Sequence, residues 1–268
     1  MSTTTRRPSV VLAWFVLAVV AVAAFFPALL TDQSPIKGQV LEKLQAPSGA
    51  HWFGTDYLGR DVYTRVVYGT SVSLRATVLA VVIAFGVGSL LGLVAGYVGG
   101  WVDSTIMRVV DVLLAIPTLL LSLAIVAALG FGATNVAVAV GVASVASFAR
   151  LTRSEVLRIR TTAYVEAASA LGVGRTQVLT RHVLPNAIGP ALVLSALEFG
   201  SAILAVSALS FLGYGEPPPA PEWGKVVAEG RDYLATAWWT VLLPSLVISA
   251  VALSANRLSR AYDDRGDR

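Results

Sequence analysis

Six long apolar stretches alternate with polar connections along the chain, at about residues 10–30, 74–98, 106–130, 135–151, 187–212 and 235–256. About 20 apolar residues in a row suffice for a helix to cross a bilayer core. All six read as helices, because lipid forbids unsatisfied backbone groups and the alternating ten-residue segments of a membrane barrel are missing. The fourth is the shortest, with 14 residues between Asn135 and Arg150 that are nearly all Ala, Val, Gly and Ser. Such small side chains suit a helix enclosed by others. In the second stretch Gly88, Gly92, Gly96 and Gly100 recur every four residues, which puts them on one face as a packing seam, against a helix of this chain or of a partner.

Composition supports the membrane reading. Of the 268 residues, 56% are hydrophobic and only 13% charged, and the mean hydropathy is +0.72. Soluble domains carry about 25% charged residues, and this chain has too few polar side chains to cover a water-facing surface. The predicted fold class is therefore all-α, a polytopic membrane protein of six transmembrane helices. The absence of cysteine rules out thiolate nucleophiles, disulfides and Cys-based metal sites, and two histidines make a His-rich site implausible. A net charge of +4 is small for a nucleic-acid binder, so no nucleic-acid partner is expected.

Thirteen of the twenty Lys and Arg fall on one side if the N-terminus is cytoplasmic, including six arginines between Arg150 and Arg181. Short positively charged loops stay in the cytoplasm, so both termini are expected inside, in a multi-pass protein of the cytoplasmic (inner) membrane. Most of the remainder lie in one long outer loop, from Thr31 to Arg75. Arg6 and Arg7 superficially suggest an export signal. The apolar run after them, about 21 residues, exceeds the usual 7 to 15 of a signal core, so an uncleaved anchor is the simpler reading. The expected division is an anchor span with its outer loop, residues 1–73, and a core of residues 74–268 containing a cytoplasmic segment at 150–186.

That segment is too polar to span and too long for a turn. Thr162–Leu171 predicts a short helix with Thr162 as N-cap, Glu166 near its positive end, and Gly172 and Gly174 as its stop. Arg175–Leu184 predicts a second, ending before Pro185. The small-residue patch of Ala163, Ala167, Ala168 and Ala170 would let another surface approach closely. From periodicity alone, a plug for a partner's socket and an amphipathic helix lying on lipid fit equally well.

Glu166-Ala167-Ala168, Gly172 four positions after Ala168, and Leu184-Pro185 resemble the EAA loop of bacterial ABC importer permeases. The pattern departs at His182, where the family has an apolar residue two positions before the Leu. His51-Trp52-Phe53-Gly54-Thr55-Asp56, Leu58-Gly59-Arg60-Asp61-Val62, Ser210-Phe211-Leu212-Gly213, Trp223-Gly224 and Glu229-Gly230-Arg231 are similar to segments of the C-type subunit in the dipeptide and oligopeptide subfamily. The resemblance implies a type I importer permease, one half of a translocation pathway for short peptides. It also implies that Tyr164, Glu166, Ala167, Ala168, Leu171, Gly172, Leu184 and Pro185 form the ATPase-coupling surface. The implied partners are a second homologous permease, two cytoplasmic ABC ATPase domains that hold the ATP and Mg, and an extracytoplasmic peptide-binding protein, besides membrane lipid. Relatives that handle nickel complexes or glutathione leave the solute open.

No P-loop sequence occurs, and no nucleophile, His and acid assemble within the spans, so catalytic, cofactor and metal sites are not expected and the chain is not read as an enzyme. Glu198 in the fifth span and Asp111 in the third are costly in lipid and must face protein or water. Either they line the pathway, or they make structural hydrogen bonds, with Arg108 one turn from Asp111. A proton-coupled secondary transporter using both carboxyls is the rival reading. Pro117 and Pro244 fall inside the third and sixth spans as candidate kinks. Outside, the run Pro217–Pro221 with Trp223, together with Trp52, Phe53, Tyr57 and Tyr63, forms a candidate docking surface for a binding protein or an aromatic anchor at the lipid interface.

Overall fold

The computed structural model describes residues 8–266, with no side chain described for Ser169 or for 262–266. Arg6, Arg7 and Arg268, which entered the charge balance, lie outside the described residues. Ten α-helices in chain order make up the fold: α1 (Pro8–Phe25), α2 (Val62–Val98), α3 (Gly100–Ala115), α4 (Thr118–Leu129), α5 (Ala133–Arg160), α6 (Ala163–Ala170), α7 (Arg175–Val178), α8 (Leu184–Phe211), α9 (Trp223–Gly230) and α10 (Trp239–Gly266). Among the described residues there is no strand, only an isolated bridge between Thr55 and Asp61. Among the described residues five helices are long and apolar enough to cross a membrane, and the pair α3 and α4 makes a sixth crossing if it counts as one bent span.

The centre of the bundle is α5, the helix that looked shortest in the sequence. It is 28 residues long and packs along α2, with α3, α4 and α8 around it. Ala137, Ala139, Ala146 and Ala149 are buried on it, so backbones rather than bulky side chains set its separation from its neighbours. A Cβ on Gly88 would lie 2.5 Å from Phe148 Cβ, one on Gly92 would come within 2.4 Å of the Ala149 carbonyl, and one on Gly96 would lie 2.9 Å from Val156 Cβ. The seam is therefore internal to the chain. Gly100 does not belong to it: it begins α3 at φ +56°, with open space where a Cβ would be.

Two spans differ from their sequence-based boundaries because polar residues in them are satisfied by protein. Helix α2 starts at Val62, not 74, so the division at residue 73 falls inside one continuous helix. Asp61 caps it, accepting from the Thr64 N–H at 2.6 Å. Likewise α5 continues past Arg150 to Arg160, burying Thr152, Val156 and Ile159, and this shortens the connecting segment to about 161–183. At 37 residues, α2 is about 55 Å long, well beyond a core of roughly 30 Å.

Pro117 breaks the third span rather than kinking it. Ile116 is extended (ψ 130°), as expected of a residue preceding proline, and α3 and α4 meet at 97°. Pro185, by contrast, does not end a helix. Helix α7 passes through a π-helical turn, Leu179–Val183, directly into α8, giving one rod from Arg175 to Phe211. The wider turn accommodates the missing proline donor, and the Asn186 side-chain amide donates to the His182 carbonyl at 2.7 Å.

Because α8 joins them, α6 with α7 and α9 lie at opposite ends of the bundle. The α9 end is densely polar. Arg60 donates to Asp56 at 2.7 Å and to Glu229 at 2.7 Å, and Arg65 shares the same Glu229 oxygen at 2.9 Å. Glu222 is fully buried, accepting from Ser73 at 2.9 Å and from the Gly224 and Lys225 N–H groups at 3.1 Å each. Burial raises its carboxyl above the usual carboxylate range despite these donors. Trp223 is buried against α2, donating to the Val66 carbonyl at 2.9 Å, so it is core and not part of an exposed docking surface. Tyr57 stacks on Tyr233, while Trp52 stays 63% exposed beside Tyr63.

Candidate coupling surface and membrane groove

Helix α6 is held from below and bare above. Val165 sits in an apolar cluster with Val156 and Ile159 of α5, Val178 and Val183 of the α7 rod, and Ala187 of α8. Leu93 and Tyr97 at the end of α2 close the cluster, and the Tyr97 hydroxyl donates to the Arg175 carbonyl at 2.5 Å. Arg160 donates to the Gly96 carbonyl at 2.6 Å, with its guanidinium 5.7 Å from the centre of the Tyr97 ring. These contacts join the segment to the ends of α2, α5 and α8 at once. Val165, Val173, Val178 and Val183 are visible in the sequence as an apolar residue every few positions.

The opposite face carries most of the residues expected to couple. Glu166 and Ala167 are exposed, Ala168 is half-buried, Tyr164 is about half exposed, and Leu171 is 84% exposed. Tyr164 lies 6.2 Å from the His182 ring. Leu184 and Pro185 are exposed on the rod, and Val183 beside His182 fills the buried position, so the apolar role expected at 182 has moved one residue along. Gly172 ends α6 at φ +83°, and the Val173 N–H returns to the Ala168 carbonyl at 3.2 Å, a glycine C-cap that a branched residue would strain. Thr162 precedes α6 as expected, but its hydroxyl turns back to the Ile159 carbonyl instead of capping.

Within the bundle, a groove of about 480 Å³ opens between α4, α5 and α8. Its lining includes Thr118, Ser144, Ser147, Glu198 and Ser201 among apolar residues. Glu198 is half-buried and has no hydrogen-bond or ion-pair partner among the described residues. Asp111 does not line this groove and does not pair with Arg108. It meets Arg150 of α5 at 2.6 Å, with both side chains largely exposed. Two turns earlier, Asp103 takes Arg153 in a two-point pair at 2.5 and 2.6 Å, so α3 hangs on α5 by a ladder of ion pairs. The groove hydroxyls had a signal in the sequence: Ser144 with Ser147, and Glu198 with Ser201, stand three apart in otherwise apolar stretches. None of the described residues forms a cluster able to hold a metal ion.

The family described as binding-protein-dependent transport system inner membrane component matches residues 88–267, which takes in α5, the α6 segment, the groove and α10. The chain belongs to this family. It is a multi-pass inner membrane component of a transport system. The dipeptide transport system permease protein DppC of Alkalihalophilus pseudofirmus is 41% identical over 91% of this chain and 80% of its own length. The glutathione transport system permease protein GsiD of Pectobacterium atrosepticum is 38% identical over 94% and 84%. A structure of the MetNI methionine ABC transporter in inward-facing conformations aligns with TM-score 0.57, covering 74% of this chain and 95% of that one at 20% identity, which establishes a shared fold.

Proposed function

We propose that this inner membrane component is one of two permease subunits of an ATP-driven importer of short peptides, with its termini and α6 in the cytoplasm and α9 outside. The observation that carries the coupling role is the two-sidedness of α6, with Val165 buried inside and Glu166, Ala167 and Leu171 presented outward. A closely approaching ATPase would find a small, exposed, mechanically anchored ridge there. Peptide as the solute is supported by the named roles of relatives such as the dipeptide permease, and glutathione, itself a peptide, stays within the class.

The geometry supplies a lever. The rod from Arg175 to Phe211, about 55 Å long, carries α7 directly into the fifth span, so a push on α6 that passes to α7 through their shared apolar cluster reaches Glu198 along one continuous helix. Converting such a bundle from 1:99 to 99:1 between two states takes about 5.5 kcal/mol of differential interaction, which the ATPases would supply through this contact. The proton-relay alternative loses ground because Asp111 is paired with Arg150 and stands away from the groove lining.

The chain has no cysteine, so Ala167→Cys introduces a unique thiol on the ridge. In inverted membrane vesicles bearing the whole transporter, that thiol is expected to crosslink to an ATPase subunit, and Glu166→Lys is expected to abolish ATP-driven uptake while the subunit still inserts. A thiol labelled only from the extracytoplasmic side, or normal uptake by the Glu166→Lys complex, would overturn the assignment.

A further inference from the structure

The groove between α4, α5 and α8 holds unspent hydrogen-bonding groups at a depth where spending them matters. Glu198 and the hydroxyls of Thr118, Ser144, Ser147 and Ser201 all line it, and none has a hydrogen-bond partner among the described residues. Two hydroxyls elsewhere in the spans, Ser122 and Ser195, instead bond back to carbonyls of their own helices. A carboxylate left facing hydrocarbon is costly, so something cationic or water must meet it there. The lining contains no Lys, Arg or His, so the groove is a one-sided receptor: one carboxyl group with surrounding hydroxyl oxygens.

Resting on the peptide-importer reading above, we propose that Glu198 receives the N-terminal ammonium of the translocating peptide, with the groove hydroxyls taking its remaining hydrogens. An ammonium has three donors and no acceptor, which one carboxylate and two of the four hydroxyls satisfy. A bare hydroxyl-lined groove would pass neutral solutes as readily. The carboxylate selects for a positive end, and the Ser and Thr oxygens replace its water shell without trapping it in a fully buried ion pair. Because Glu198 rides on the same rod as α7, which packs against α6, a displacement of that rod would alternate the exposure of this contact between the two sides.

The test uses the complete transporter in proteoliposomes, with radiolabelled dialanine and trialanine presented by the binding protein at subsaturating concentration. Glu198→Gln keeps size and hydrogen bonding but removes the charge. Uptake of both peptides is expected to fall about tenfold, the usual scale for losing one charged hydrogen bond. Glu198→Asp is expected to restore most of it, and ATPase stimulation by loaded binding protein is expected to survive in both variants. Uptake by the Glu198→Gln complex within twofold of wild type would overturn the proposal. So would failure of that variant to co-purify with the second permease, since Glu198 would then be pairing with the partner subunit. If the wild-type complex imports neither peptide, the peptide reading itself fails, a result distinct from either of these.

Discussion

At the α9 end of the bundle Arg65 is 1% exposed and shares Glu229 with Arg60, while Glu222 and Trp223 are sealed against α2. At the α6 end Leu171 is 84% exposed and the segment is held mainly by valines. Buried, multiply bonded charges tolerate little displacement, because separating them strands an ion in a low-dielectric interior. Apolar side chains packed without directional bonds can slide by fractions of an ångström at small cost per contact. The contrast fits a subunit with a stiff cap on one face and a movable handle on the other, with α2 and α8 running between them. It also separates two kinds of importance: residues of the cap matter for folding, and residues of the handle matter for work done on a partner.

Substitutions that read stability and transport together sharpen that separation. Arg65→Ala should be the most damaging to the fold, costing about 3–5 kcal/mol by leaving Glu229 and Asp56 short of a buried partner, and it should appear as a large fall in the melting temperature of the detergent-solubilised subunit. Gly92→Val forces a Cβ to within 2.4 Å of the Ala149 carbonyl in the seam of α2 and α5, and overpacking of that kind costs about 1–3 kcal/mol in the same assay. Leu171→Ala should change stability by less than about 0.5 kcal/mol, since the side chain touches little of this chain, yet lower ATP-driven uptake measurably. If Leu171→Ala destabilised the isolated subunit as much as Arg65→Ala, or if Arg65→Ala melted like wild type, the distinction between cap and handle would be broken.

The hydropathy pattern located the crossings well where a helix is apolar on all sides, as in α1 and the middle of α2, and misjudged length wherever polar residues inside a helix find protein partners. Arg65, Thr70 and Ser73 made the first three turns of α2 read as loop, and Arg153 and Arg160 did the same for the last turns of α5. The coupling segment was legible as a short Ala-rich helix ending at Gly172, because helix propensity and a glycine stop act locally. Its second half was not, since proline at 185 normally ends a helix and only a π turn and the Asn186 amide make continuity possible. Asp111 shows the same limit. Sequence offers Arg108 as its neighbour one turn away, whereas the packing of α3 on α5 brings Arg150, 39 residues distant, to 2.6 Å.

By itself the sequence determined an all-helical membrane protein, the approximate places where it crosses, and a short surface helix with a glycine stop. These follow from composition, periodicity and local backbone preference, which act within a few turns of chain. Only the tertiary structure decided that Gly88, Gly92 and Gly96 close on α5, that Glu222 and Trp223 are sealed beneath the cap, and that Glu198 faces a groove with four free hydroxyls. The physical reason is that burial, ion pairing and an unmet hydrogen bond are properties of which distant segments meet, and a one-dimensional pattern leaves those meetings unstated.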